Sequence, residues 1–416
     1  MAINSLAMSM CLIAWTLPAA GPADWPEFRG AGGAGVAPGK LVVVGGKLAD
    51  PAWSVPVAGQ GWSSPVILGD LLILTAAEPD GEPAKSWRFV VLGLDSATGK
   101  ERFRSVVFER KADSLPKIHS KNSHASPSAT FSAAGVVAHF GHVGTALLDF
   151  GGKVLWRKEG IYDKPVHGGG ASPVVLDGKV LIPCDGTDVQ ALIALDLKSG
   201  REVWRRERAA SAPRPFSFST VCPISPEGNS LLLSAASDVL QQVDAASGAE
   251  IWRMPYTGYS VIPRPMLVGG GLAVLSTGYD KPSLLAVKLD GVRPGEERIA
   301  WKMEKNAPNT PTPLVLDGEL LVLADNGVIS SLEPASGIQR WQERLKGAYS
   351  ASPISIGGQV VTVSEEGVVT AFKTGKAYQK IASTDLNERS LSSPAVASGR
   401  LFIRTEKGLR AWKLSD

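Results

Sequence analysis

Along most of the chain, short apolar runs alternate with turn residues at a spacing too tight for helices. Residues 173–196, "PVVLDGKVLIPCDGTDVQALIALD", show the unit: a run, an Asp-Gly turn, a second run, another turn and a third run. Runs of this length bounded by Gly, Pro, Asp and Ser read as antiparallel strands joined by tight turns.

Two markers repeat with this pattern. One closes each unit: "GKERF" (99–103), "GKVLW" (152–156), "GREVW" (200–204), "GAEIW" (248–252), "ERIAW" (297–301) and "GIQRW" (337–341). Most follow a turn such as "DLKSG", "DAASG" or "EPASG", in which an acid starts the turn and Gly accepts its positive φ. The aromatic at the end of each can pack between neighbouring sheets. The other marker opens each unit with a small residue or Arg before Pro, at Ser64, Ser126, Ser172, Cys222, Arg264, Thr312, Ser352 and Ser393. These eight openings are 40 to 62 residues apart. Each unit therefore reads as four strands, A to D, which is one propeller blade.

The expected fold is all-β, an eight-bladed β-propeller of four-stranded antiparallel blades. Seven blades is the alternative, because unit seven has a degenerate D strand, "GKAYQKIA". The eighth unit supplies only three strands, and "DPAWSVPV" (50–57) is the predicted donor of its outer strand. Closing the ring this way removes two sheet edges.

Composition adds limits on function. Lys+Arg 43 against Asp+Glu 40, with no basic block, leaves no nucleic-acid footprint. The apolar start running into "LPAAGPAD" predicts a signal peptide over 1–23, although its first residues hold no Lys or Arg. An extension over 24–49 and the propeller over 50–416 follow, in a periplasmic or secreted protein. "MSMC" is a poor lipobox, so no lipid anchor is expected, and no transmembrane segment is expected in the mature chain. Of the three cysteines, Cys184 and Cys222 would remain, and one bridge between them is left open.

The Asp-x-x-Thr/Ser-Gly-x-x-x-Trp pattern resembles the tryptophan-docking repeat of the pyrroloquinoline-quinone-like (PQQ-like) propeller family, over roughly residues 50–416. "WPEFRG" (25–30) is similar to an N-terminal motif of its secreted bacterial members. The resemblance extends to the propeller of the outer-membrane assembly machine, which implies a non-catalytic binding scaffold. It also extends to quinoprotein dehydrogenases. Those imply a quinone over adjacent cysteines with calcium held by carboxylate and amide oxygens, and this chain has no Cys-Cys pair.

Candidate chemistry gathers where the D–A and B–C connections emerge around the channel mouth. All five histidines fall between 119 and 167. His119, His124, His142 and His167 are expected on one sector of this face, with His139 packed inside a strand. Asp185, Asp280 and Arg264 join them, Arg264 standing where other blades carry Ser, Thr or Cys and suiting an anion. His119, His124 and His167 are the candidate ligands of a divalent metal. Their bland alternative is hydrogen bonding between blades, and turn carboxylates serve turn geometry. No resident cofactor is expected, and PQQ least of all.

Three functions follow. The first is a non-catalytic binding or scaffold propeller of the cell envelope or periplasm, with a protein or a small anionic or saccharide ligand at the mouth. The second is an enzyme with a His/Asp/Arg site, with or without a metal, acting on an anionic sugar-like substrate. The third, a quinoprotein dehydrogenase, has the least support.

Overall fold

A computed structural model describes residues 24–224, 230–291 and 295–415, so the expected signal segment lies outside the described residues. Eight antiparallel four-stranded blades follow one another in chain order. Blade 1 is Val66–Leu68, Leu71–Asp80, Ser86–Asp95 and Glu101–Lys111. Blades 2 to 7 span 130–158, 174–207, 222–255, 266–303, 314–344 and 354–385. The degenerate D strand of blade 7 forms fully, over Gln379–Asp385.

Blade 8 is built as the pattern predicted. Its own strands are Ala395–Ala397, Arg400–Arg404 and Gly408–Ser415, and Trp53–Pro56 pairs with the last, Gly408 opposite Pro56 and Ala411 opposite Trp53. The core lies within and between blades, where alternate strand faces meet: Leu72, Val90, Ile354, Val361 and Phe402 are all fully buried.

The turn chemistry that the repeat implied is in place. Asp196 accepts from the Ser199 hydroxyl at 2.6 Å, and Gly200 closes that turn at φ 69. The Trp156 indole of blade 2 lies over this glycine and donates to the Leu197 carbonyl at 2.9 Å. Trp204 and Trp301 repeat the arrangement on the next blade, donating to Ala245 and Pro334.

Around the channel, blades are linked by a belt of hydroxyls. The backbone N–H of Ser64 donates to Ser128 Oγ, Ser128 to Ser172, and Ser172 to Thr220, at 2.9–3.0 Å. Arg264 donates likewise to Thr312, Thr312 to Ser352, and Ser352 to Ser393. This belt corrects two openings. In blades 2 and 4 the belt positions are Ser128 and Thr220, two residues from the Ser126 and Cys222 that precede proline. Backbone geometry at the belt, and not the Pro, defines the register.

Residues 25–37 cross the channel beneath the belt. Trp25 pairs with Ile67 of blade 1, and the Phe131 N–H of blade 2 donates to Pro26. On the far side Arg29, fully buried, donates to the carbonyls of Gly33, Thr312, Pro313 and Pro353. Val36–Ala37 then runs parallel to the inner strand of blade 7, and Lys40–Leu41 pairs with the last strand of blade 8. The channel is therefore closed at one end.

Candidate functional site

Above this floor the channel is a funnel of about 840 Å³, opening on the face of the D–A and B–C connections. Phe28 of the crossing segment contributes to the floor, and the belt hydroxyls line the base. One wall is an arc of rings in mutual contact. Centroids are 5.4 Å apart for His119–His167, 5.6 Å for His167–Phe216, 5.9 Å for Phe216–Tyr259 and 6.1 Å for Tyr259–Tyr279. The Arg214 guanidinium lies over Tyr259, 4.5 Å from its centre.

The connection into blade 2 reaches across the mouth. Lys121 Nζ pairs with Glu365 of blade 7 at 2.7 Å, and Arg389 of blade 8 donates to the Ser120 carbonyl at 3.0 Å. Carboxylates here are already engaged. Asp325 accepts from the N–H groups of Asn309 and Thr310 at 2.7 and 3.3 Å and from the Thr310 hydroxyl at 2.8 Å. Glu365 also accepts from Ser350 at 2.6 Å.

The expected site residues separate into two groups. His119 and His167 meet at the mouth, both exposed, and the imidazole of His167 is shifted downward by desolvation and by the neighbouring His119. His124 instead packs against Trp87, centroids 4.9 Å apart, and burial pushes it down to about 4. His142 packs against Tyr162, and burial and the nearby His124 take it to about 4. His139 is enclosed in its strand, bonded to Thr145 Oγ1 at 2.8 Å. The metal triad is thus divided, because the blade 1 rings of Trp87 and Phe89 claim His124. Among the described residues no three His, Cys, Asp or Glu side chains are grouped to hold a metal.

Three further expectations are corrected. Asp185 ends the second strand of blade 3 and is locked to Arg208, which donates to both its oxygens at 2.8 and 2.9 Å. Arg264 does not reach the mouth; it lies under the crossing segment, fully buried, with Glu27 at 3.6 Å. Asp280 is an exposed turn residue at φ 80 outside the funnel lining. Cys184 and Cys222 are separate buried thiols.

Sequence reasoning missed Phe28, Trp62, Arg214 and Phe216. A signal existed for the last two: "APRPFSFS" is the D–A connection into blade 4, which the same placement rule sends to the mouth.

Comparison with known proteins accords with this geometry. A family model described as "Outer membrane protein assembly factor BamB" matches residues 139–261, 190–324 and 235–416, together more than half of the chain. The chain belongs to this PQQ-like β-propeller family. Outer membrane protein assembly factor BamB of Escherichia coli (strain K12) is 24% identical over 226 residues, 52% of this chain and 52% of that protein. Polyvinylalcohol dehydrogenase of Sphingopyxis sp. (strain 113P3) is 27% identical over 236 residues, 47% of this chain and 33% of that enzyme. The PQQ-like chain thus spans between a third and about half the length of these curated relatives. BamB from Moraxella catarrhalis superposes with TM-score 0.59 at 14% identity, over 88% of this chain and 97% of that one. A quinohemoprotein alcohol dehydrogenase from Pseudomonas putida HK5 gives 0.66 at 12%, over 94% and 80%. These two likenesses show the fold.

The donor set of this PQQ-like propeller does not fit a calcium–quinone group. Calcium takes about six to eight oxygen ligands, whereas among the described residues the one carboxylate lining the funnel, Asp325, is spent on three donors. Among the described residues no cysteine lines it.

Proposed function

We propose that this protein is a non-catalytic binding and scaffold propeller of the cell envelope, periplasmic or secreted, that engages a partner protein and a small ligand through its mouth face. The observation that carries this reading is the commitment of the acidic groups. Asp325, Glu365 and Asp185 are all held by backbone donors, hydroxyls or cations, so none of these three is free to work with His119 and His167 as acid and base. The match to a family described as an assembly factor supports a protein partner. An enzyme acting through a His/Asp/Arg site loses support, since Asp185 and Arg264 lie away from the histidine pair. Among the described residues no helix is long and apolar enough to cross a membrane.

The test is photo-crosslinking from position 279, an exposed tyrosine at the mouth, in the native host. A discrete protein adduct from the envelope fraction is the expected result. Dye-linked oxidation of alcohols by the purified protein loaded with quinone and calcium would overturn the reading.

A further inference from the structure

The base of the funnel is a belt of hydroxyl donors. Seven of the eight belt positions carry a hydroxyl, all at most 5% exposed and all lining the cavity. Six of these oxygens accept a neighbouring backbone N–H. None of the seven donates a hydrogen bond to another group among the described residues. A hydroxyl carries one donor, and a buried donor requires an acceptor. The ring therefore calls for oxygen atoms from within the cavity, on every side of it.

Cations lie both beneath the floor and at the mouth. Beneath the floor lie the buried guanidinium groups of Arg29 and Arg264, with Glu27 the carboxylate set against them. Among the described residues the three side-chain nitrogens of Arg264 make no hydrogen bond of ordinary length, Glu27 lying 3.6 Å away as their ion-pair partner. At the mouth stand Arg214 and Lys121, the latter paired with Glu365, while Asp325 in the lining is held by three donors. A cleft with low-dielectric walls focuses such a field on whatever enters.

We propose that this funnel binds an acidic saccharide, with the carboxylate-bearing sugar, a hexuronate, seated on the hydroxyl belt. This deepens the binding reading above and rests on it. A carboxylate suits the positive floor, and the ring oxygens and hydroxyls of a pyranose supply acceptors around the whole belt. A flat aromatic acid would reach two or three of the hydroxyls and leave the others desolvated without acceptors. The arc from His167 through Phe216 to Tyr259 gives apolar ring faces and edges for the C–H faces of the sugar. The cavity of about 840 Å³ is in the range of small-ligand sites.

Calorimetry of the purified protein with digalacturonate, neutral galactobiose and 2-naphthoate, at low ionic strength, tests this. Digalacturonate should bind at least about tenfold more tightly than galactobiose, and Phe216→Ala should weaken it by about tenfold. Arg264→Met should remove the preference for the acid. Because that variant can disturb the floor, the acid–neutral pair on the unaltered protein carries the decision. Equal affinity for digalacturonate and galactobiose, no binding of digalacturonate, or tighter binding of 2-naphthoate would each overturn the proposal. If it fails while position 279 still crosslinks a partner, the saccharide assignment falls and the scaffold reading stands.

Discussion

Gly33 and Arg264 share one space: a Cβ on Gly33 would lie 1.9 Å from Arg264 Nη1. The crossing segment can lie over a buried guanidinium only where this residue has no side chain. Gly33 also sits at φ 70, and Gly32 beside it sits at φ 63 with nothing within 4 Å of its Cβ position. The pair makes an internal control. Gly32→Ala should cost only backbone strain, about 1 kcal/mol. Gly33→Ala must also displace Arg264 and should cost at least about twice that. Urea unfolding of both variants checks this, and equal losses would mean that the segment does not press on Arg264.

The belt yields a second expected outcome. Ser172→Ala leaves the buried Ser128 N–H without its acceptor, a loss of about 1–3 kcal/mol. Ser172→Thr should restore most of it, since Thr already serves at 220 and 312. Ser126→Ala lies outside the belt and should cost less, because its hydroxyl bonds only within its own loop, to Ser123. Chemical melts of the three variants would check the register of blade 2.

Local pattern carried the fold because each blade is built from short-range hairpins, and the missing strand of blade 8 announced its own replacement at 50–57. The two shifted openings were not legible: "SPS" and "TVCP" each offer a hydroxyl two residues before the Pro-based choice or after it, and only the neighbouring blade selects one. Arg264 was legible as an oddity at a Ser/Thr position. Its direction was not, since "WPEFRG" covers it from more than two hundred residues away. His124 was sent to the mouth by its loop, but Trp87 on an adjacent blade offered it a ring to pack on.

Asp185 and Arg208 supply a third prediction. Both side chains are at most 2% exposed, and Arg208 also donates to Ser234 and Gln241. Removing the acid leaves a buried cation uncompensated. Asp185→Ala should therefore lose about 3–5 kcal/mol, and Arg208→Met combined with it should recover part of that loss. A double-mutant cycle by thermal or urea unfolding measures the coupling. Additive losses would show that the pair is not closed in solution.

Acid sensitivity should come from the interior histidines. His139 is held down to about 3 by burial and by the charge of His142, and His124 and His142 are held to about 4 by burial first. Their ordinary value is 6.5, so the unfolded chain takes up these protons before the folded one does. Stability is then fully present above about pH 6.5 and falls as pH drops toward the folded values. For the enclosed His139 the slope is about 1.4 kcal/mol per pH unit. Glu27 and Asp185, both raised by burial, act in the opposite sense, since their folded forms gain protons first. Total stability therefore mixes the two effects, and the difference between variants isolates one. His139→Gln keeps a polar group for Thr145 but cannot titrate. Between about pH 7 and about pH 5 it should lose less stability than wild type. Parallel pH profiles of the two proteins, measured by urea unfolding, would show that His139 does not stay neutral in the fold.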